Sequence, residues 1–209
     1  HQTLTIQQAI DLAVQHHTAG RLSQAENIYQ QILQSHPDQP IALHLLGVIA
    51  HQAGKNDIAV DRITMALDLK PDYAEAHNNL GNVLTALGRL EDAVASYHKA
   101  LALKPNHAEV HSNLGNALQV LGRLGEALKI FESLDTPTCH ACALECLFTL
   151  GEYDKFYERQ NTFIEKNRTN LRVAAISAFA SQQLSRTDPH PFCRTPLDSV
   201  RVYKCLDGI

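Results

Sequence analysis

The chain has 209 residues, 44% apolar and 19% charged, with a formal net charge of -4, a composition that excludes a disordered or fibrous protein. With no basic excess there is no field to grip a phosphate backbone or an anionic membrane, so neither nucleic acid nor membrane is expected as a partner. No apolar run nears the roughly 20 residues that span a bilayer, the opening HQTLTIQQAI lacks the regions of a signal peptide, and five irregular cysteines make no disulfide framework, so the expected compartment is the cytoplasm.

From Ile6 onward the chain repeats. Gly20, Gly54, Gly88 and Gly122 recur every 34 residues, in step with Ala25, Ala59, Ala93 and Ala127, and Pro37, Pro71 and Pro105 keep the same interval. Units therefore start at Ile6, Pro40, Ala74 and Ala108. In the third unit apolar residues return every three or four positions, at Leu80, Leu84 and Leu87 and again at Leu90, Ala93, Val94, Tyr97, Ala100 and Leu101. That spacing predicts two amphipathic helices per unit. Between them Gly20, Gly54, Gly88 or Gly122 can take the left-handed conformation that ends a helix, making the turn tight and the helices antiparallel. Gly81 with Ala93, and Gly115 with Ala127, let the paired backbones approach. Asp72 with Glu75, and Asn106 with Glu109, are expected to cap the following helices.

After the fourth unit the phase slips, because Leu150-Gly151 comes 29 residues after Gly122. Helices are expected at about 138–150 and 153–166, and a last one at about 169–183 caps the stack. The stretch from Thr187 has three prolines in eight residues and reads as an extended tail or the start of a further domain.

These units resemble tetratricopeptide repeats. The small residues Gly81, Ala93 and Ala100, the aromatic Tyr97 and the terminal Pro105 fit that family's pattern, as do Gly47, Ala59, Ala66, Ile63 and Pro71, and Ala13, Ala25, Tyr29 and Pro37. Ile32, Leu134 and Cys139 depart from it. The resemblance implies an all-α, right-handed superhelical solenoid of antiparallel helix pairs. Residues 6–139 are four regular repeats, 138–183 a degenerate fifth pair with a capping helix, and 184–209 the proline-containing tail.

In such a stack the first helix of each pair lines the concave side. Its inner stripe reads Glu75, Asn78, Asn79, Asn82 and Thr85 in the third unit, and Glu109, Ser112, Asn113, Asn116 and Gln119 in the fourth. Asn offers an acceptor and two donors, so the ladders Asn79 with Asn113 and Asn82 with Asn116 can pair with the amides of an extended peptide. The units also resemble the repeat region of O-linked N-acetylglucosamine transferases and their bacterial relatives, which implies an Asn ladder gripping substrate backbones. Here Leu45 and Asp11 interrupt it. The competing reading is a solvated face that is polar for no further reason. His44 and His51 lie on or near the stripe and are assigned to selecting ligand side chains; His17 is close by, and a metal-binding or pH-sensitive groove is the alternative.

Cys139, His140, Cys142 and Cys146 form a cluster that suits zinc or redox chemistry by spacing, but their apolar neighbours favour small core residues, so no metal and no cofactor are assigned. Gly-x-Gly-x-x-Gly, P-loop, HExxH and Gly-x-Ser-x-Gly patterns are absent and no catalytic residue is named. Three functions follow: a scaffold binding a protein or peptide ligand in the groove; the substrate-recruiting region of a larger glycosyltransferase-like, oxygenase or sulfotransferase enzyme; and a self-assembling module forming homo-oligomers.

Overall fold

A computed structural model describes residues 4–166 and 171–183; the side chains of 164–166 and of Leu171 are not described. The expected tail over 184–209 lies outside the described residues, as do the first two positions of the helix expected from 169. Eleven helices and no strands occur among the described residues. The chain divides into two compact units, and the division falls after Ala117.

The first unit holds α1 (Ile6–Thr18), α2 (Leu22–Ser35), α3 (Pro40–Gln52), α4 (Asn56–Leu69), α5 (Ala74–Ala86), α6 (Leu90–Leu103) and most of α7 (Ala108–Val120). Within it α1 packs on α2, α3 on α4 and α5 on α6, and each pair packs on the next through α2 with α3 and α4 with α5. Two clusters fill the space. Ile10, Ala13, Ala25, Tyr29 and Ile32 meet Ala42, Leu46 and Ile49 of the following pair, and Ala59, Ile63 and Leu67 meet Ala76 and Val83. Small residues set the spacing. A Cβ on Gly81 would stand 2.5 Å from the Tyr97 ring, and one on Gly47 would stand 2.6 Å from Ile63 and 3.1 Å from the Ala59 carbonyl. At Gly81, then, it is the aromatic ring on α6 that needs the missing side chain, more than the backbone at Ala93.

Each first helix ends in a glycine with φ between 72° and 76° at Gly20, Gly54, Gly88 and Gly122. At Gly54 the amide donates to the His51 carbonyl and Lys55 N–H to the Ala50 carbonyl, two bonds that satisfy the open end of α3. The same pair of bonds recurs at Gly20, Gly88, Gly122 and Gly151. Helix starts are less uniform. Thr5 and Gln8 form a reciprocal cap on α1, and Pro40 opens α3. The cap expected from Asp72 and Glu75 is not made: the residue before α5 is Tyr73, no side chain caps it, and Glu75 instead pairs with Lys104. The Pro71-Asp72 turn holds Asp72 one residue too early to reach the free amides. Asn106 likewise stands two residues before α7.

The second unit comprises the end of α7, α8 (Leu124–Ser133), α9 (Pro137–Thr149), α10 (Tyr153–Lys166) and α11 (Leu171–Gln183). Here α9 is central, packed by α8, α10 and α11. It buries Cys139, Cys142, Cys146, Leu144 and Leu147, and Phe148 meets Tyr153, Phe156 and Phe179 edge-on. No helix among the described residues is long and apolar enough to cross a membrane.

Candidate functional site

The asparagines stand on α5 and α7, all in the first unit, and they bond to one another across successive repeats. Asn113 Nδ2 donates to Asn82 Oδ1 at 3.1 Å and reaches Asn78 Oδ1 at 3.4 Å, while Tyr97 Oη donates to Asn82 Oδ1 at 2.8 Å. One repeat earlier, Asn79 Nδ2 donates to His44 Nε2 at 2.8 Å. His44 Nδ1 then carries the proton and lies 2.9 Å from Tyr73 Oη, the two rings meeting edge-on with centroids 4.8 Å apart. The pairs His44 with Asn79 and Asn78 with Asn113 share a separation of 35 residues. Each joins the fifth residue of one repeat to the sixth of the next, so one polar bond recurs wherever suitable residues fall at those positions. His17 and Gln52, also 35 apart, make a comparable bridge at 3.2 Å.

This bracing corrects the role assigned to His44. The ring is 3% exposed and both nitrogens are bonded, so it cannot read a ligand side chain. Burial pushes its pKa down to about 4, against a smaller upward pull from Glu75. Tyr73 is pushed up by burial and by the same carboxylate. His51 also points back into its own repeat, with Nδ1 2.7 Å from Asn56 Oδ1. Gln119, in the second unit, donates to Glu145 at 3.1 Å, and Arg172 grips the same carboxylate at 2.8 and 2.9 Å, so its amide ties α7 to α9. Asn78 is 7% exposed and serves mainly as an acceptor for Asn113. Asn116 is exposed, one turn beyond Asn113.

What remains open is a set of groups on Asn79, Asn82 and Asn113. Once the braces are made, Asn79 Oδ1, Asn82 Nδ2 and Asn113 Oδ1 have no partner among the described residues, and none is a buried unpartnered atom. Acceptor, donor and acceptor thus face solvent from side chains already held in place. Sequence reasoning missed Tyr73 and the hydroxyl of Tyr97 as members of this network. The 35-residue offset between His44 and Asn79, and between Asn78 and Asn113, was the signal that could have found the braces.

The cysteine cluster lies in the second unit, enclosed by its helices. Cys139, Cys142 and Cys146 are free thiols buried along α9, and burial pushes Cys142 and Cys146 up to about 11. Among the described residues no group of three or more His, Cys, Asp or Glu side chains could hold a metal ion.

A family model described as a tetratricopeptide repeat matches residues 16–83, and a second, described as a TPR repeat, matches 81–122. No curated protein matches the chain. Among solved structures, the functional characterization of Pseudomonas aeruginosa PilF gives a structure that matches 98% of this chain and 93% of its own with a TM-score of 0.75 at 19% identity. A crystal structure of MamA protein matches 78% of this chain and 91% of its own, with a TM-score of 0.69 at 20% identity. Both likenesses are of fold alone. A Thermobaculum terrenum O-GlcNAc transferase mutant is 32% identical over 69% of this chain, with a TM-score of 0.54. The match spans only 26% of the transferase chain.

Proposed function

The chain belongs to the tetratricopeptide-repeat family, and we propose that it is a protein-interaction scaffold holding an extended segment of a partner along the asparagine-bearing face of α5 and α7. The supporting observation is the pre-set row of Asn79 Oδ1, Asn82 Nδ2 and Asn113 Oδ1, since peptide backbone presents the complementary groups whatever its side chains. Their fixed rotamers lower the ordering cost of binding. Asn82→Asp tests this directly. It keeps an oxygen that accepts from Tyr97 and Asn113 and replaces the outward N–H donors with a charged acceptor oxygen. Peptide affinity should fall by about tenfold with the melting temperature unchanged; unaltered affinity would count against the reading.

The likeness to the transferase favours a second reading, in which the same face recruits the substrate of a larger enzyme. Captured partners recovered with a covalent modification on the bound segment would support it, and unmodified partners would leave the plain scaffold.

A further inference from the structure

A second surface lies on the other helices of the first two pairs. A cleft of about 460 Å³ runs between α2 and α4 over the back of α3. Its apolar lining includes Leu33, Leu46 and Ile49, with Ile58 on the α4 wall.

Its chemistry departs from the third and fourth repeats at one position. The turn before each second helix carries a cation: Arg21, Lys55, Arg89 and Arg123. Arg89 pairs with Asp92 at 2.8 Å and Arg123 with Glu126 at 2.8 Å, in each case three residues on. Arg21 Nε donates to His16 at 2.8 Å. At Lys55 the third residue on is Ile58, which is 50% exposed. Neither Lys55 nor Arg62, which lines the same wall, has a hydrogen-bond or ion-pair partner among the described residues. Where the third and fourth repeats place a carboxylate, the first has Gln24 and the second has an exposed aliphatic side chain. Solvated singly, such a residue means little; beside a cleft with two unpaired cations it makes a surface that is apolar in the middle and positive along one edge. Asp57 and Asp61 are exposed on α4 but do not line the cleft.

We propose that this cleft docks an amphipathic helix of a partner protein, its apolar stripe over Leu33 and Ile58 and its carboxylates against Lys55 and Arg62. The two cations are seven residues apart, two turns or roughly 10 Å along α4, so a helix lying beside α4 presents matching acids at the same spacing. Glu26 on the α2 wall disfavours acids on the opposite flank and fixes the orientation.

The test selects displayed helical peptides on the intact chain and measures their affinities by fluorescence anisotropy against three variants. Selected peptides should carry apolar residues at helical spacing with Asp or Glu on one flank. Lys55→Glu/Arg62→Glu should weaken them at least about tenfold, and Asn82→Asp should leave them unchanged. Ile58→Asp places a carboxylate three residues from Lys55, as the third and fourth repeats do, so it should retain the wild-type melting temperature and lose the peptides. Peptides lacking the acid-apolar pattern, peptides insensitive to charge reversal, or peptides lost only in Asn82→Asp would overturn the proposal. So would self-association abolished by Ile58→Asp, which would assign the cleft to a second copy of this chain.

Discussion

At His44 the ring is enclosed by Tyr73 and Asn79, and burial holds it neutral down to about pH 4. An unfolded chain protonates the same ring near pH 6.5, so between those values the unfolded state takes up a proton that the folded state refuses. Stability contributed by the neutral ring is complete above about pH 6.5 and falls as the pH drops toward 4, by up to about 3 kcal/mol. Denaturant titrations of the wild type and His44→Phe across that window should give a shallower pH slope for the variant; equal slopes would contradict the burial of His44. A second residue test concerns spacing. Gly81→Ala drives a Cβ into the Tyr97 ring, and a loss of about 1–3 kcal/mol from overpacking should exceed the gain of about 1 kcal/mol in helix propensity, leaving net destabilisation by thermal melting. Periodicity in the sequence put His44 on or near the inner stripe but said nothing of its depth. The covering group, Tyr73, arrives from the turn before the next repeat, and helical spacing within one repeat carries no information about that contact.

Among the elements, the turns were the most legible part, because a glycine at a fixed interval has one economical use at the end of a helix, and all four of them take positive φ, as does Gly151 where the phase slips. Helix starts were less legible at Asp72, where residue type suggested a cap but the Pro71 turn sets the geometry. The sides of the helices also tell their neighbours apart. Ala42 and Ile49 on α3, and Ala76 and Val83 on α5, pack on the preceding pair, whereas the matching positions of α1 are Gln8 and Gln15, both exposed. In α9 the expectation of a buried cysteine cluster rested on its apolar neighbours, and the three thiols are enclosed there. Alkylation at pH 8 followed by mass mapping should leave Cys139, Cys142 and Cys146 unmodified in the folded chain and label them after denaturation. Rapid labelling of the native protein at Cys142 would contradict the packing of α9.

For the whole molecule, the repeat architecture explains why function is written on faces: each pair contacts only its neighbours, so outward side chains vary without cost to the core. The asparagine face was legible as a stripe, since Asn recurs where better helix formers would serve a merely solvated surface. Its internal bracing was not, because a bond from one repeat to the next depends on an offset of 35 residues set by how the pairs stack. That bracing divides the asparagine groups into those that hold the array and those that face outward. Replacing Asn79 and Asn113 together by Ala should therefore lower stability by about 1 kcal/mol per lost brace as well as weaken a peptide, unlike Asn82→Asp. The central claim is that the outward groups bind backbone. Its most direct measurement compares one peptide selected on this face with a scrambled version and with a version N-methylated at alternate amides, by calorimetric titration. The account predicts that scrambling changes affinity little and N-methylation abolishes binding; a peptide that survives N-methylation but fails on scrambling would contradict it.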